Sequence, residues 1–136
     1  MKKIGVIGCG GTIGPIICSY LSSANVEIIG GQRSEPDFCK YPENFRWKHL
    51  DINDGEELSD FCGECDVVLN CAGPAYVLFE KVALASAKAG AVYVDVTDAL
   101  MFNDEVMSRV DGKGKFYIAA GYLSLIHISE PTRPEP

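Results

Sequence analysis

Up to residue 122 the chain alternates short apolar runs with longer stretches of helical period. Ile4, Val6 and Ile7 form the first run, and others follow at residues 26–30, 45–52, 66–71, 91–95 and 116–120. Between them, residues 12–22, 55–62 and 75–89 carry helical patterns, with a weaker one at 103–110. In the third helical stretch Val77, Val82, Ala85 and Ala89 share one broad face. Pro15 falls in the first turn of the first stretch, where a missing N–H costs little because those donors lack internal partners. Short runs without polar alternation suit strands buried on both faces of a sheet. Alternating strand and helix therefore predicts an α/β fold: a doubly wound parallel sheet of about six strands, order 3-2-1-4-5-6.

The first run opens directly into Gly8, Gly10, Gly11 and Gly14, ahead of the first helical stretch. Strand, glycine turn and helix in that order give a glycine pattern its meaning as a dinucleotide-binding turn. Gly8 allows the sharp turn, Gly10 and Gly11 let backbone amides approach a pyrophosphate, and Gly14 permits close helix–strand packing. The spacing follows G-x-x-G-x-x-G through Gly8, Gly11 and Gly14, because Ile13 stands where G-x-G-x-x-G has its third glycine. Thr12 and Ile13 complete the loop expected to meet the cofactor.

The end of the second strand distinguishes NAD from NADP, an acid there pairing with ribose hydroxyls and a cation with the extra phosphate. Glu27 lies too early in its strand for that task, since Ile28 and Ile29 follow it. The strand is expected to run out into Gly30-Gly31-Gln32-Arg33-Ser34, where Arg33 offers a fork of donors and Ser34 a hydroxyl. NADP is the expected cofactor, with NAD as the alternative. After the third strand, Asp51 could accept from an adenine amine and Ile52 cover the ring, while Asn53 or Asp54 could equally cap the next helix. Ala72, Gly73 and Pro74 follow the fourth strand, where a nicotinamide ribose would lie, and backbone contact there suits them better than chemistry by Cys71. Asp95, with Thr97 and Asp98, stands at the same edge after the fifth strand.

The remaining composition narrows the picture. A net charge of −7 with no basic cluster excludes a nucleic-acid surface. No apolar run approaches the roughly 20 residues that span a bilayer, so no membrane partner is expected. The apolar stretch before Cys9 is also too short for a signal peptide, and a cytoplasmic protein is expected. Cys62-Gly63-Glu64-Cys65 has redox or zinc spacing, yet no second pair completes a metal site, so the six cysteines read as reduced, partly buried thiols. Residues 123–136, LSLIHISEPTRPEP, have no amphipathic period and resemble the translated read-through of a transposase-type sequencing adapter. The expected domain is thus 1–122, with 123–136 a non-native tail, His127 without functional weight and a second, substrate domain absent.

GCGGTIG, GGQRS, LDIND, VVLNCAGPAY and AGAVYVDVTD, in this order, resemble the cofactor-binding domain of saccharopine dehydrogenase-like reductases. The resemblance implies an NADP-dependent oxidoreductase acting on an amino-acid-derived or related small imine or carbonyl. It also implies a further domain that shapes the substrate site and a parent protein that pairs subunits. The extra residue in GGQRS and the shifted third glycine depart from the common pattern. Short-chain dehydrogenases share the glycine spacing but need a Tyr-x-x-x-Lys pair; Tyr76 and Lys81 are five apart and leave a common helix face. A non-catalytic NADPH-binding redox sensor is the alternative from another class. No catalytic residue is assignable from the sequence.

Overall fold

The computed structural model describes residues 1–72, 75–95, 114–119 and 125–127. Strands β1 (Lys2–Ile7), β2 (Val26–Gln32), β3 (Phe45–His49), β4 (Val67–Asn70), β5 (Val92–Asp95), β6 (Phe116–Ala119) and β7 (Leu125–His127) form one sheet. Helices α1 (Gly14–Tyr20), α2 (Gly55–Gly63) and α3 (Ala75–Ala89) connect its parallel strands. The order is β3-β2-β1-β4-β5-β6-β7. The first six strands pair parallel, as the alternation of apolar runs predicts. The chain leaves β1 for β2 on one side and crosses to β4 on the other, so the switch point lies at the carboxyl ends of β1 and β4.

Adjacent apolar residues divide between the two faces, because side chains alternate along a strand. Ile7, Ile29 and Val68 join Leu50, Leu58, Phe61, Val82 and Tyr93 in the larger core, beneath α2 and α3. Val6 and Ile28 join Cys9 and Cys18 in a smaller core beneath α1, closed by Tyr41 and Phe45. Tyr41 and Phe45 stack with ring centroids 4.1 Å apart. Val82 is buried and Ala85 packs against the larger core, as the helical period requires, with Ala83 and Ser86 beside them. Ala89, expected on that face, is exposed because the helix ends there and Gly90 turns the chain back toward β5.

Two boundaries differ from the sequence reading. Gly30 and Gly31 are ladder residues of β2, paired with Trp47 and Lys48, so the strand continues to Gln32 rather than loosening at Gly30. They remain glycine because the ring of Phe45 lies over one and that of Phe61 over the other, where a Cβ would approach to 2.4 and 2.7 Å. Leu125–His127, left out of the expected fold, pair antiparallel with β6 at the sheet edge. The weaker helical stretch at 103–110, and Thr97 and Asp98, lie outside the described residues.

Candidate dinucleotide site

Gly8 turns the chain out of β1 at φ +77°, a backbone conformation that side chains rarely adopt. Its N–H donates to Gly31 O at 2.9 Å, tying the turn to β2, and Cys71 N–H donates to Ile7 O at 2.9 Å, tying it to β4. A Cβ on Gly8 would come within 2.9 Å of Ala72. Gly14 begins α1 flush against the turn, since a Cβ there would stand 2.5 Å from Cys9 O. Tyr41 donates from its hydroxyl to that same carbonyl at 2.7 Å. Thr12 and Ile13 are exposed at the mouth of the helix.

Both amides expected to face a pyrophosphate already have partners. Gly11 N–H donates to Gly8 O at 3.1 Å, which closes the turn on itself. Gly10 N–H donates to Gln32 Oε1 at 2.8 Å, and Gln32 Nε2 donates onward to Ser34 O at 2.7 Å. Trp47 Nε1–H donates to the Gln32 carbonyl at 3.1 Å, so side chain and backbone of this residue are both held. Sequence reading passed over Gln32. Its signal was position: a polar residue closing β2, 22 residues after Gly10, where such folds place the group that reads a ribose.

A cavity of about 320 Å³ opens at this edge. Gly8 and Ala72 line it at the switch point, Gly31, Gln32 and Arg33 along the β2 exit, and Asp51, Ile52 and Asn53 beyond β3. Arg33 and Ser34 are exposed. Asp51 Oδ1 accepts from Asn53 N–H at 3.0 Å, and Asp51 N–H donates to Glu57 Oε1 at 3.2 Å. That same Glu57 oxygen lies 2.7 Å from His49 Nδ1, so the β3 exit is anchored on the first turn of α2. Asp54 is the cap of α2, accepting from Glu56 and Glu57 N–H; Asn53 accepts instead from Lys81 Nζ at 3.2 Å.

Asp95 belongs to a different layer. It is fully buried beneath the β4–β5 edge, where Tyr93 donates its hydroxyl to Asp95 Oδ2 at 2.5 Å. Asn70 Nδ2 donates to the Tyr93 oxygen at 3.0 Å, and Asn70 Oδ1 accepts from Ala72 N–H at 3.1 Å. Burial, then the nearby Asp95, pushes the Tyr93 hydroxyl well above the ordinary tyrosine range, so its proton stays available for donation. Asp95, expected to share a crevice with the glycines, is not among the described residues lining this cavity; its bond to Tyr93 continues through Asn70 to the Ala72 amide. Gly73 and Pro74 lie outside the described residues. Asn70 and Tyr93 were missed because a buried polar network leaves no periodic trace in a sequence.

All six cysteines are free. In the C-x-x-C pair Cys65 donates to Phe61 O at 3.2 Å, and Cys62 lies 3.7 Å from Ser86 Oγ, both inside the larger core. Burial raises Cys9 to about 11 and Cys18, Cys65 and Cys71 to about 12, which keeps these thiols protonated and unreactive. Among the described residues no group of metal-binding side chains converges, and no helix is long and apolar enough to cross a membrane.

The glycine cradle, the guanidinium fork of Arg33 and the acid–apolar pair Asp51–Ile52 around one cavity fit a dinucleotide. Comparison with known proteins agrees. Saccharopine dehydrogenase (L-Glu forming) from Saccharomyces cerevisiae superposes with a TM-score of 0.65 at 16% identity, over 87% of this chain and 26% of that one. A Rossmann-fold NAD(P)-binding family protein from Shigella flexneri gives 0.66 at 16% identity, over 87% and 66%. The Bordetella bronchiseptica enzyme WbmH, in complex with NAD+, gives 0.60 at 19% identity, over 74% and 40%. The chain thus spans about a quarter of the length of the yeast enzyme. No curated protein matches by sequence. The saccharopine dehydrogenase NADP binding domain family matches residues 4–113, and the chain belongs to that family.

Proposed function

We propose that the domain binds NADP(H) in the cavity at the switch point and serves an oxidoreductase that reduces a small, amino-acid-derived imine or carbonyl. The observation that carries this reading is the convergence of Gly8, Arg33, Asp51, Ile52 and Ala72 on one cavity. In it the pyrophosphate lies over the glycine turn, with Thr12 and Ile13 at its helix side. Arg33 and Ser34 take the 2′-phosphate, a charge-assisted contact that suits the planar guanidinium. Asp51 accepts from the adenine amine and Ile52 covers the ring. The backbone at Ala72, Gly73 and Pro74 borders the nicotinamide ribose, with Asp95 acting through Tyr93 and Asn70. When bound, the cofactor supplies hydride; this chain's residues bind and orient it.

The family match supports the cofactor, and the substrate class is proposed by analogy with the saccharopine dehydrogenases named in the family's description. The cofactor domain is proposed to be residues 1–122, with 123–136 dispensable for binding and further residues of the parent protein supplying substrate contacts and subunit pairing. Six free cysteines suit a reducing, cytoplasmic setting. Calorimetric titration of Arg33→Ala tests the assignment. Loss of a charged hydrogen bond, roughly 1.5–3 kcal/mol, should weaken NADPH about 10- to 100-fold while NADH changes little. Equal weakening of both cofactors, or tighter NADH than NADPH in the parent, would remove Arg33 from the site.

A further inference from the structure

Helix α1 is apolar on two sides, and the described residues cover one of them. Its inner side gives Cys18 and Ile17 to the smaller core. On its outer side Ile13, Ile16 and Tyr20 are 40%, 53% and 81% exposed. Spacings of three and four residues put these side chains in one stripe along the helix and its cap. They are three of the five large apolar side chains left exposed among the described residues. A helix that is apolar all round is normally covered all round. No charge interrupts this surface: from Ile4 to Val26 the chain has no Asp, Glu, Lys or Arg, its longest such stretch, although its net charge is −7. Beside the stripe, Pro15, Ile16, Ser19 and Tyr20 line a hollow of about 430 Å³.

We propose that this face is a contact between two copies of the chain, α1 packing on its two-fold mate with Tyr20 of each copy in the hollow of the other. The contact stands independently of the cofactor reading. Charge selects the occupant. Two chains of −7 repel on any approach that opposes their carboxylates, and the uncharged α1 face lets them meet without doing so. A basic partner would be drawn instead to acidic surface, such as the first turn of α2 with Glu56 and Glu57. Shape selects the same occupant. A protruding ring beside a hollow on one face suits a two-fold contact, because each copy then supplies both halves of the fit. The helix has only seven residues, so the interface belongs to the weak class that buries less than roughly 1,200 Å² in total.

Sedimentation velocity of the 136-residue chain over a range of concentrations tests the contact, with circular dichroism to confirm that each variant is folded. The parent should pass from monomer to dimer as concentration rises and stop there. Raising salt from about 50 mM to about 500 mM should strengthen the dimer several-fold, because it screens repulsion between the copies and breaks no ion pair at the contact. Ile16→Glu should weaken the dimer at least about tenfold, since the two-fold axis sets the new carboxylates against each other. Ser59→Glu, which places the same charge on an exposed position of α2, should leave it unchanged. An equimolar mixture of Ile16→Glu and Ile16→Lys should regain the dimer that each variant alone loses. A parent that is monomeric at every concentration and salt overturns the proposal and leaves the face to a neighbour outside this chain. A dimer that Ile16→Glu leaves intact, growth beyond two copies, or no recovery in the mixture overturns it as well.

Discussion

Ser34 and Ala72 follow β2 and β4 on either side of the glycine turn, and the chain secures them by opposite means. The Ala72 amide rests on Asn70, which is fully buried and continues through Tyr93 to Asp95. The Ser34 carbonyl is held by the half-exposed amide of Gln32, at the rim of the cavity. A buried network gains from low dielectric and is costly to interrupt. A contact at the water's edge exchanges with solvent at little cost. The β4 exit is therefore a fixed floor, and the β2 exit an adjustable wall beside the cavity proposed to take the ribose.

The largest effect should come from the residue joining the two. Gly8→Ala puts a Cβ 2.9 Å from Ala72 at a positive φ, pressing on the floor while straining the turn. It should cost more than about 2 kcal/mol in denaturant unfolding and abolish measurable NADPH binding. Wild-type affinity in this variant would break the idea that the two exits meet at Gly8. Next, Tyr93→Phe removes the hydroxyl shared by Asn70 and Asp95 and should destabilise by about 2–3 kcal/mol. Its NADPH-to-NADH preference should stay within about twofold of the parent, because the floor does not read the ribose. A changed preference without lost stability would reverse the roles of the exits.

Smaller effects follow from the buried thiols. At pH 8 a disulfide reagent should titrate one thiol quickly, exposed Cys39, and reach all six only after denaturation. Rapid reaction of Cys71 would show that the β4 exit opens more readily than its network implies. The same burial sets a pH slope. Native Cys18, Cys65 and Cys71 keep protons up to about 12, whereas an unfolded thiol loses its proton near 9.0. The unfolded chain then binds fewer protons, so stability should fall as pH rises above 9.0 and level off toward 12. A stability that rises over that interval would contradict their burial.

Most of the fold was legible because it depends on local regularities. Apolar runs marked β1 to β6, and the glycine turn marked the switch point. Arg33, Asp51, Ile52 and Ala72 were expected at the site from their places after strands, and the structure lines one cavity with them and Gly8. What escaped were features made by distant residues. Gly30 and Gly31 looked like a strand's end, yet they are glycine because Phe45 and Phe61 cover them from elsewhere in the chain. Asp95 was expected at the site from its place after β5; that Tyr93 joins it to Asn70 of another strand was not legible there. Gln32 gains its meaning only once Gly10 lies opposite it.

The cavity beside the β2 exit is proposed to take the phosphorylated ribose of NADP(H). Trp47 is the chain's sole tryptophan, and its indole N–H is bound to the Gln32 carbonyl at that exit. Titration of the parent chain with NADPH, followed by Trp47 emission and by heat of binding on the same samples, tests the claim most directly. One saturable transition is expected at the same concentration in both signals, displaced by 2′,5′-ADP and weaker with NADH. Saturable heat with no competition from 2′,5′-ADP, or no binding of either dinucleotide by the folded chain, would contradict it.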